Sequence, residues 1–327
     1  MFALAEALTP ETMLEVADQG FSEMRGAGYG VVGEFHYVHH QPGGRPYDNP
    51  NELAIAVAQG ALSAGLPIVL LPAAYNRNGW DGGDRPPVGG QRRFCDPDAE
   101  TFLERVDALR AWAAGTDGVD VGIAAHSVRA VPAAWLEAIA RYADEHGLVR
   151  HVHAHEQRRE LDECQAEHGC TPIELLERTG FLGPRTTVVH GIHVSDGDVE
   201  RLARSGSVVA SCPTTEGNLG DGYLPAMRYA DAGVPLAIGS DSQVRIDPFE
   251  EARELETLSR RERELRAGLL ARTGDLWREL CRNGHRSLGS SPELTVRVDR
   301  EHVDLRGVEI DDLPRALVTC ASAGVVA

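Results

Sequence analysis

A chain of 327 residues with a formal charge of −18 repels phosphate backbones and anionic membrane surfaces, which argues against nucleic acid or a membrane as partner. No apolar run approaches the ~18 residues of a membrane span and no charged-then-apolar leader opens the chain, so a cytoplasmic protein is expected. The six cysteines form no Cys-x-x-Cys pair, which leaves neither a disulfide framework nor a zinc finger, and 42% hydrophobic residues suffice for a large folded core.

In chain order, the spacing of Met13, Leu14, Ala17, Phe21 and Met24 predicts a helix over 11–27, and an apolar run predicts a strand from Tyr29 to His36. A helix over 51–64, a strand from Pro67 to Leu71, a long Gly/Pro/Arg loop over 75–97, a helix over 98–114 and a strand from Val121 to Ala125 follow. Pro132 sits like an early helical residue, and the helix it opens runs to about 146. The next strand, 148–153, leads to helices over 157–168 and 172–179, then a strand from Thr186 to Val189. A helix over 196–204, a strand from Ser207 to Ser211, a helix over 223–232, a strand from Pro235 to Ile238 and a charged helix over 248–272 complete the array.

Seven strands separated by helices mean β/α units around a parallel sheet. The ends of several carry residues able to do chemistry: His36 and Tyr37, Tyr75 and Asn76, His126 and Arg129, His153 and Glu156, His190, Asp241. A (β/α)8 TIM-barrel-like α/β fold brings all such ends to one mouth, whereas a doubly wound sheet unites only those near its switch point. The barrel is therefore the expected fold, one strand short. Around the central strand, His151, His153 and His155 alternate and should share a face, with Glu156 following in the loop. Neutral imidazoles and a carboxylate suit a catalytic divalent metal, zinc before iron or manganese, and His153 and Asp241 fit as its ligands. Glu156 is placed to carry a proton, and His190 to donate to developing charge.

His153-x-x-Glu156-Gln157, Val188-Val189-His190-Gly191, Ser211-Cys212-Pro213-Thr214-Thr215-Glu216-Gly217-Asn218-Leu219 and Ile238-Gly239-Ser240-Asp241-Ser242 together resemble the amidohydrolase superfamily in its deaminase branch. Within that branch, Gly33-Glu34-Phe35-His36-Tyr37-Val38-His39-His40 and Ala125-His126-Ser127-Val128-Arg129-Ala130-Val131-Pro132 are similar to the formimidoylglutamate deiminases of histidine degradation. The resemblance implies His153 and Asp241 as metal ligands, Glu156 as proton shuttle, His190 as the group polarising water or substrate, and Asp241 as an aid in deprotonating that water. It also implies Tyr37, His126 and Arg129 on the substrate side, where the planar fork of an arginine can hold a carboxylate of N-formimidoyl-L-glutamate.

The family pattern opens with a strand ending in His-x-His, and no such strand is found here; a truncated or misassigned start is the expectation. Residues 1–290 are then read as an incomplete barrel and 291–327 as a remnant of a small β domain, with Leu294–Val298 and Ala316–Val326 as its strands. The open edges next to the gap favour pairing with another copy, so a homo-oligomer is expected. An inactive remnant, or a deaminase of nucleobase-like rings, stays open as an alternative function.

Overall fold

The computed structural model describes residues 2–290 and 296–327. These fall into two compact units, one made of Met1–Ser22, Val31–Ala154 and Arg158–Leu182, the other of Glu23–Gly30, His155–Gln157 and Gly183–Ala327. No helix among the described residues is long and apolar enough to cross a membrane.

The first unit holds strands β1 (Val32–His36), β2 (Ile68–Ala74), β3 (Val119–Val121), β4 (Ile123–Ser127) and β5 (Arg150–Ala154). All run parallel: β1 pairs β2, β2 pairs both β3 and β4, and β4 pairs β5. All seven residues of β2 are buried, and its near-continuous apolar run is what a parallel strand covered on both faces requires. The single strand expected over 121–125 is in fact two, because the chain breaks at Gly122. A Cβ there would lie 2.7 Å from Leu71 Cδ2 and 2.8 Å from the Val149 carbonyl oxygen, so the strand passes too close to its neighbours for any other residue. Gly60, on the covering helix Glu52–Ser63, does the same for helix packing: a Cβ would meet that of Ala17 at 2.7 Å.

The second unit holds β6 (Thr186–His190), β7 (Val208–Ser211) and β8 (Leu236–Ile238), also parallel, with Val188 beside Val209 and Val209 beside Leu236. Ser195 and Asp198 form a reciprocal capping box that starts the helix Asp196–Ser205, and Gly206 ends it in the left-handed conformation. The charged helix expected over 248–272 stops at Arg263, where Glu264 turns to φ +52°, and a separate short helix spans Leu269–Thr273. Both oxygens of the buried Glu256 carboxylate accept main-chain bonds across this break, from Gly268 and Leu270. A further helix, Leu276–Leu288, was not foreseen.

Leu294 and Thr295 of the first expected small-domain strand lie outside the described residues. The second, Ala316–Val326, is mostly not a strand: Leu313–Thr319 is a helix, and only Val326 pairs, in an isolated antiparallel bridge to Val298. This segment instead buries Ala316, Leu317, Ala321 and Val325 with Leu305 against Phe249, whose ring stacks on Trp277 at 4.5 Å.

Candidate active site

Parallel strands deliver their carboxyl ends to loops, and in the second unit those ends carry the chemistry. His190 closes β6 with φ +75°, and Asp241 lies three residues past β8 with φ +44°. Positive φ is costly for either residue type, and strain of this kind collects at functional positions. His190 Nε2 lies 3.8 Å from Glu156 Oε1 and 3.7 Å from Asp241 Oδ2. Its other nitrogen, Nδ1, faces Glu216 Oε1 at 3.3 Å. Three carboxylates thus surround one buried imidazole.

Glu216 is itself held from several directions. Its oxygens accept from the main-chain N–H of Cys212 at 2.7 Å and from Ser211 Oγ at 3.1 Å, folding the side chain back from the helix Pro213–Leu219 onto the end of β7. The thiol of Cys212, a ring nitrogen of His190 and a carboxylate oxygen of Asp241 lie within 4.8 Å of one another. Electrostatics follow from this crowding. Burial alone would lower the His190 pKa, yet the bond to Glu216 and the charges of Glu156, Glu216 and Asp241 raise it to about 8. Burial raises Asp241 above the usual carboxylate range; the neighbouring His190 pulls it down, while Glu216 and Asp221 push it further up. Burial, then the charges of Asp241 and Glu216, also hold the Cys212 thiol well above its ordinary value.

The first unit gathers a second group. The His126 ring lies 5.4 Å from Tyr37, 4.6 Å from Tyr75 and 5.3 Å from His153, and Phe35 packs 4.1 Å from the His153 ring. His153 Nδ1 stands 2.8 Å from the carbonyl oxygen of His126. A carbonyl can only accept, so Nδ1 carries the proton and the lone pair of the neutral ring is on Nε2, as a metal ligand requires. Burial, aided by the charge of Arg129, lowers His126 to about 3 and keeps it neutral. Arg129 lines a narrow cleft with Trp80, Glu160, Glu163 and Glu167, and its Nε is buried with no acceptor among the described residues.

The sequence-derived residues therefore sort into two sets: Glu156, His190 and Asp241 meet in the second unit, while Tyr37, His126 and His153 meet in the first, with Arg129 close enough to influence the charge of His126. The expected shared face of three histidines is not formed. His151 and His153 lie on β5, but His155 lies past its end with φ +59°, its Nδ1 donating to the His193 carbonyl at 2.8 Å. His39 and His40 serve a buried ionic network, His39 Nε2 bonding the Ala73 carbonyl at 3.0 Å and His40 Nε2 lying 3.4 Å from Asp96. Sequence reasoning gave no role to Glu216 or Cys212. A carboxylate four residues after Cys212, in the first turn of a Pro-initiated helix, was the available signal, since such a position can reach back to unpaired N–H groups.

The model of the amidohydrolase family matches residues 2–291. A formimidoylglutamate deiminase from Pseudomonas aeruginosa is 39% identical over 256 residues, 78% of this chain but 55% of that protein, so the chain spans little more than half the length of this relative. The crystal structure of an amidohydrolase from Brucella melitensis superposes with a TM-score of 0.89 and 32% identity over 100% of this chain and 76% of the other. An adenosine deaminase from Xanthomonas campestris, crystallised with bound zinc, matches at a TM-score of 0.78 and 21% identity over 98% of this chain and 69% of its own, a likeness of fold alone. The fold class is thus the TIM-barrel-like one expected.

Proposed function

Because the chain belongs to the amidohydrolase family, we propose that it acts as a deiminase, adding water to the amidine carbon of N-formimidoyl-L-glutamate and releasing ammonia to leave N-formyl-L-glutamate. The observation that carries this reading is the meeting of the Glu156 and Asp241 carboxylates at His190 Nε2, at 3.8 and 3.7 Å. Hydrolysis of an amidine needs a proton taken from water and a proton given to the departing nitrogen. Glu156 is the carrier: it sits on a loop, not in a strand, and can reach both. Asp241, whose affinity for protons burial raises, assists in accepting the proton of the attacking water. His190, locked through Nδ1 by Glu216, presents Nε2 at a fixed point where it orients that water and answers the charge that develops on the amidine nitrogen.

The donor set also fits a divalent metal. His153, which commits its Nδ1 proton to a carbonyl so that the lone pair of a neutral ring is on Nε2, and Asp241, which offers a carboxylate, are each a donor type that suits zinc before iron or manganese. When bound, such a cation supplies Lewis acidity that brings the pKa of a coordinated water down to roughly 7.

The substrate assignment rests on Arg129 and His126 in the first unit. The Arg129 Nε, buried with no acceptor among the described residues, is a donor open to a substrate oxygen, and a glutamate moiety brings two carboxylates. Purine-like rings bring none. Ammonia release from N-formimidoyl-L-glutamate, compared with adenosine and guanine in the presence of zinc, tests the reading. Turnover of the first alone, abolished in Asp241→Asn, is expected. Release from a ring substrate alone would move the activity elsewhere in the family, and release from none by a zinc-loaded, folded chain would identify a non-catalytic remnant.

A further inference from the structure

We propose that Thr215 is a positioning residue for Asp241, its hydroxyl clasping from both sides the turn that carries this carboxylate. The inference rests on the reading of Asp241 as a metal ligand and acceptor of the water proton, and not on which substrate the chain takes.

After β8 the chain makes a tight turn in which the Gln243 N–H donates to the Ser240 carbonyl at 2.9 Å. Asp241 holds the first central position with φ +44°, and Gln243 follows at φ +56°. An Asp takes such a position more readily than most residues, yet strain of this kind persists only where the surroundings over-determine it. Side-chain packing does not do so here, because Ser242 to Arg245 are all exposed. A turn with so little buried opens locally with ease unless something else holds it.

Thr215, 1% exposed on the helix Pro213–Leu219, is what holds it. Its Oγ1 donates to the Ser240 carbonyl at 3.1 Å and accepts from the Ser242 N–H at 3.2 Å, with Ser242 Oγ at 3.0 Å. The Ser240 carbonyl and the Ser242 N–H belong to the two peptide planes that meet at the Asp241 Cα. One hydroxyl therefore fixes both planes, and with them the direction in which the carboxylate leaves the chain. The clasp is anchored in turn: Thr214 gives its main-chain N–H, at 3.0 Å, and its hydroxyl to the Glu251 carboxylate of the helix Pro248–Arg263. Beside Thr215, Glu216 holds His190 Nδ1. Consecutive residues of one short helix thus set the imidazole and the carboxylate that stand 3.7 Å apart at His190 Nε2.

Thr215→Val keeps the shape and removes the hydroxyl, whereas Thr215→Ser keeps the hydroxyl. Both are compared with the parent, as full chains, for zinc affinity by competition with a chromophoric chelator and for kcat and KM of ammonia release from N-formimidoyl-L-glutamate. Thr215→Val should weaken zinc binding and lower kcat, each by roughly 10- to 100-fold, the usual loss when a group supporting a metal ligand is removed, with KM little changed. Thr215→Ser should restore both to near the parent values. Asp241→Asn should lose at least as much zinc affinity as Thr215→Val, which places the ion at Asp241. If Thr215→Val does not fold, Thr215→Ala, which also lacks the hydroxyl and is smaller, replaces it. A folded variant that is less stable in urea but keeps the parent's zinc affinity and kcat overturns the proposal and leaves Thr215 a structural role. Thr215→Ser behaving like Thr215→Val, or zinc binding undiminished in Asp241→Asn, overturns it too. Zinc affinities in the expected order without ammonia release from the parent uphold the clasp and remove the deiminase. A parent that neither binds zinc nor releases ammonia overturns the proposal, because Asp241 then does no work for a clasp to serve.

Discussion

The Glu216 carboxylate lies 3.3 Å from His190 Nδ1, and this contact, more than the strand ends themselves, sets the charge of the candidate active site. Burial works against a charged His190, and Glu216 leads the groups that raise its pKa to about 8. Glu216→Gln keeps the shape and removes the charge. The His190 pKa should then fall, and ammonia release should drop by roughly 10- to 100-fold in kcat with little change in KM, as for other groups that orient a working histidine. Glu216 touches no substrate in this account; it is a positioning residue. Its role is read from the histidine titration by NMR and from the pH profile of kcat, and an unmoved profile would reduce Glu216 to a structural cap of Cys212 and Ser211.

A second ion pair holds the first unit together. Arg105 makes two bonds to Asp96, at 2.6 and 3.3 Å, and both side chains are buried. Burial alone would raise the Asp96 pKa, but the bond from His40 and the charge of Arg105 hold it far below the usual carboxylate range. Arg105→Met leaves that carboxylate buried without its cation and should cost about 3–5 kcal/mol in urea unfolding. Adding Asp96→Asn should recover part of the loss. A cost below about 1 kcal/mol for the single variant would mean that water reaches the pair.

Why some of this was readable in the sequence and some was not follows from the range over which each feature is determined. The strand β2 announces itself because both its faces are buried, and helix ends at Gly147 and Gly206 because only glycine takes the left-handed turn cheaply. Glu156, His190 and Asp241 were visible as polar residues closing apolar runs. The break after Arg263 was not, since the charge pattern continues through it; what ends the helix is the capture of Gly268 and Leu270 N–H by Glu256, a tertiary event. The split at Gly122 depends on the nearness of Leu71 and Val149, and the work of Glu216 on its fold-back across the end of β7. His155 was misread because alternation says nothing about where a strand stops.

Acid should unfold this chain by way of His36. Burial, then the charge of Arg105, lowers its pKa to about 3, and its Nε2 is buried with no hydrogen-bond partner among the described residues. The folded pKa lies below the unfolded value of 6.5, so the stability contribution is intact above pH 6.5 and is lost as pH falls from there towards 3. Within that window one such group costs about 1.4 kcal/mol per pH unit. His36→Leu removes the group, so the stability difference between variant and parent should shift in the variant's favour by about that slope between pH 6 and the acid transition. Parallel curves from urea unfolding at each pH would show that His36 is hydrated and titrates freely.

Arg129 separates substrate recognition from chemistry. If its guanidinium holds a carboxylate of the glutamate moiety, Arg129→Lys gives up the planar fork while keeping the charge, and Arg129→Met gives up both. A charge-assisted hydrogen bond is worth about 1.5–3 kcal/mol, so kcat/KM for N-formimidoyl-L-glutamate should fall roughly 10- to 100-fold in Arg129→Met, mostly through KM, and less in Arg129→Lys. Formamidine presents the same reacting carbon without either carboxylate. Its slow hydrolysis depends on the reacting groups and not on Arg129, and should be equal in parent and both variants. Equal losses on the two substrates would mean that Arg129 supports the fold around His126, whose charge it already influences, and that the carboxylate is recognised by other residues.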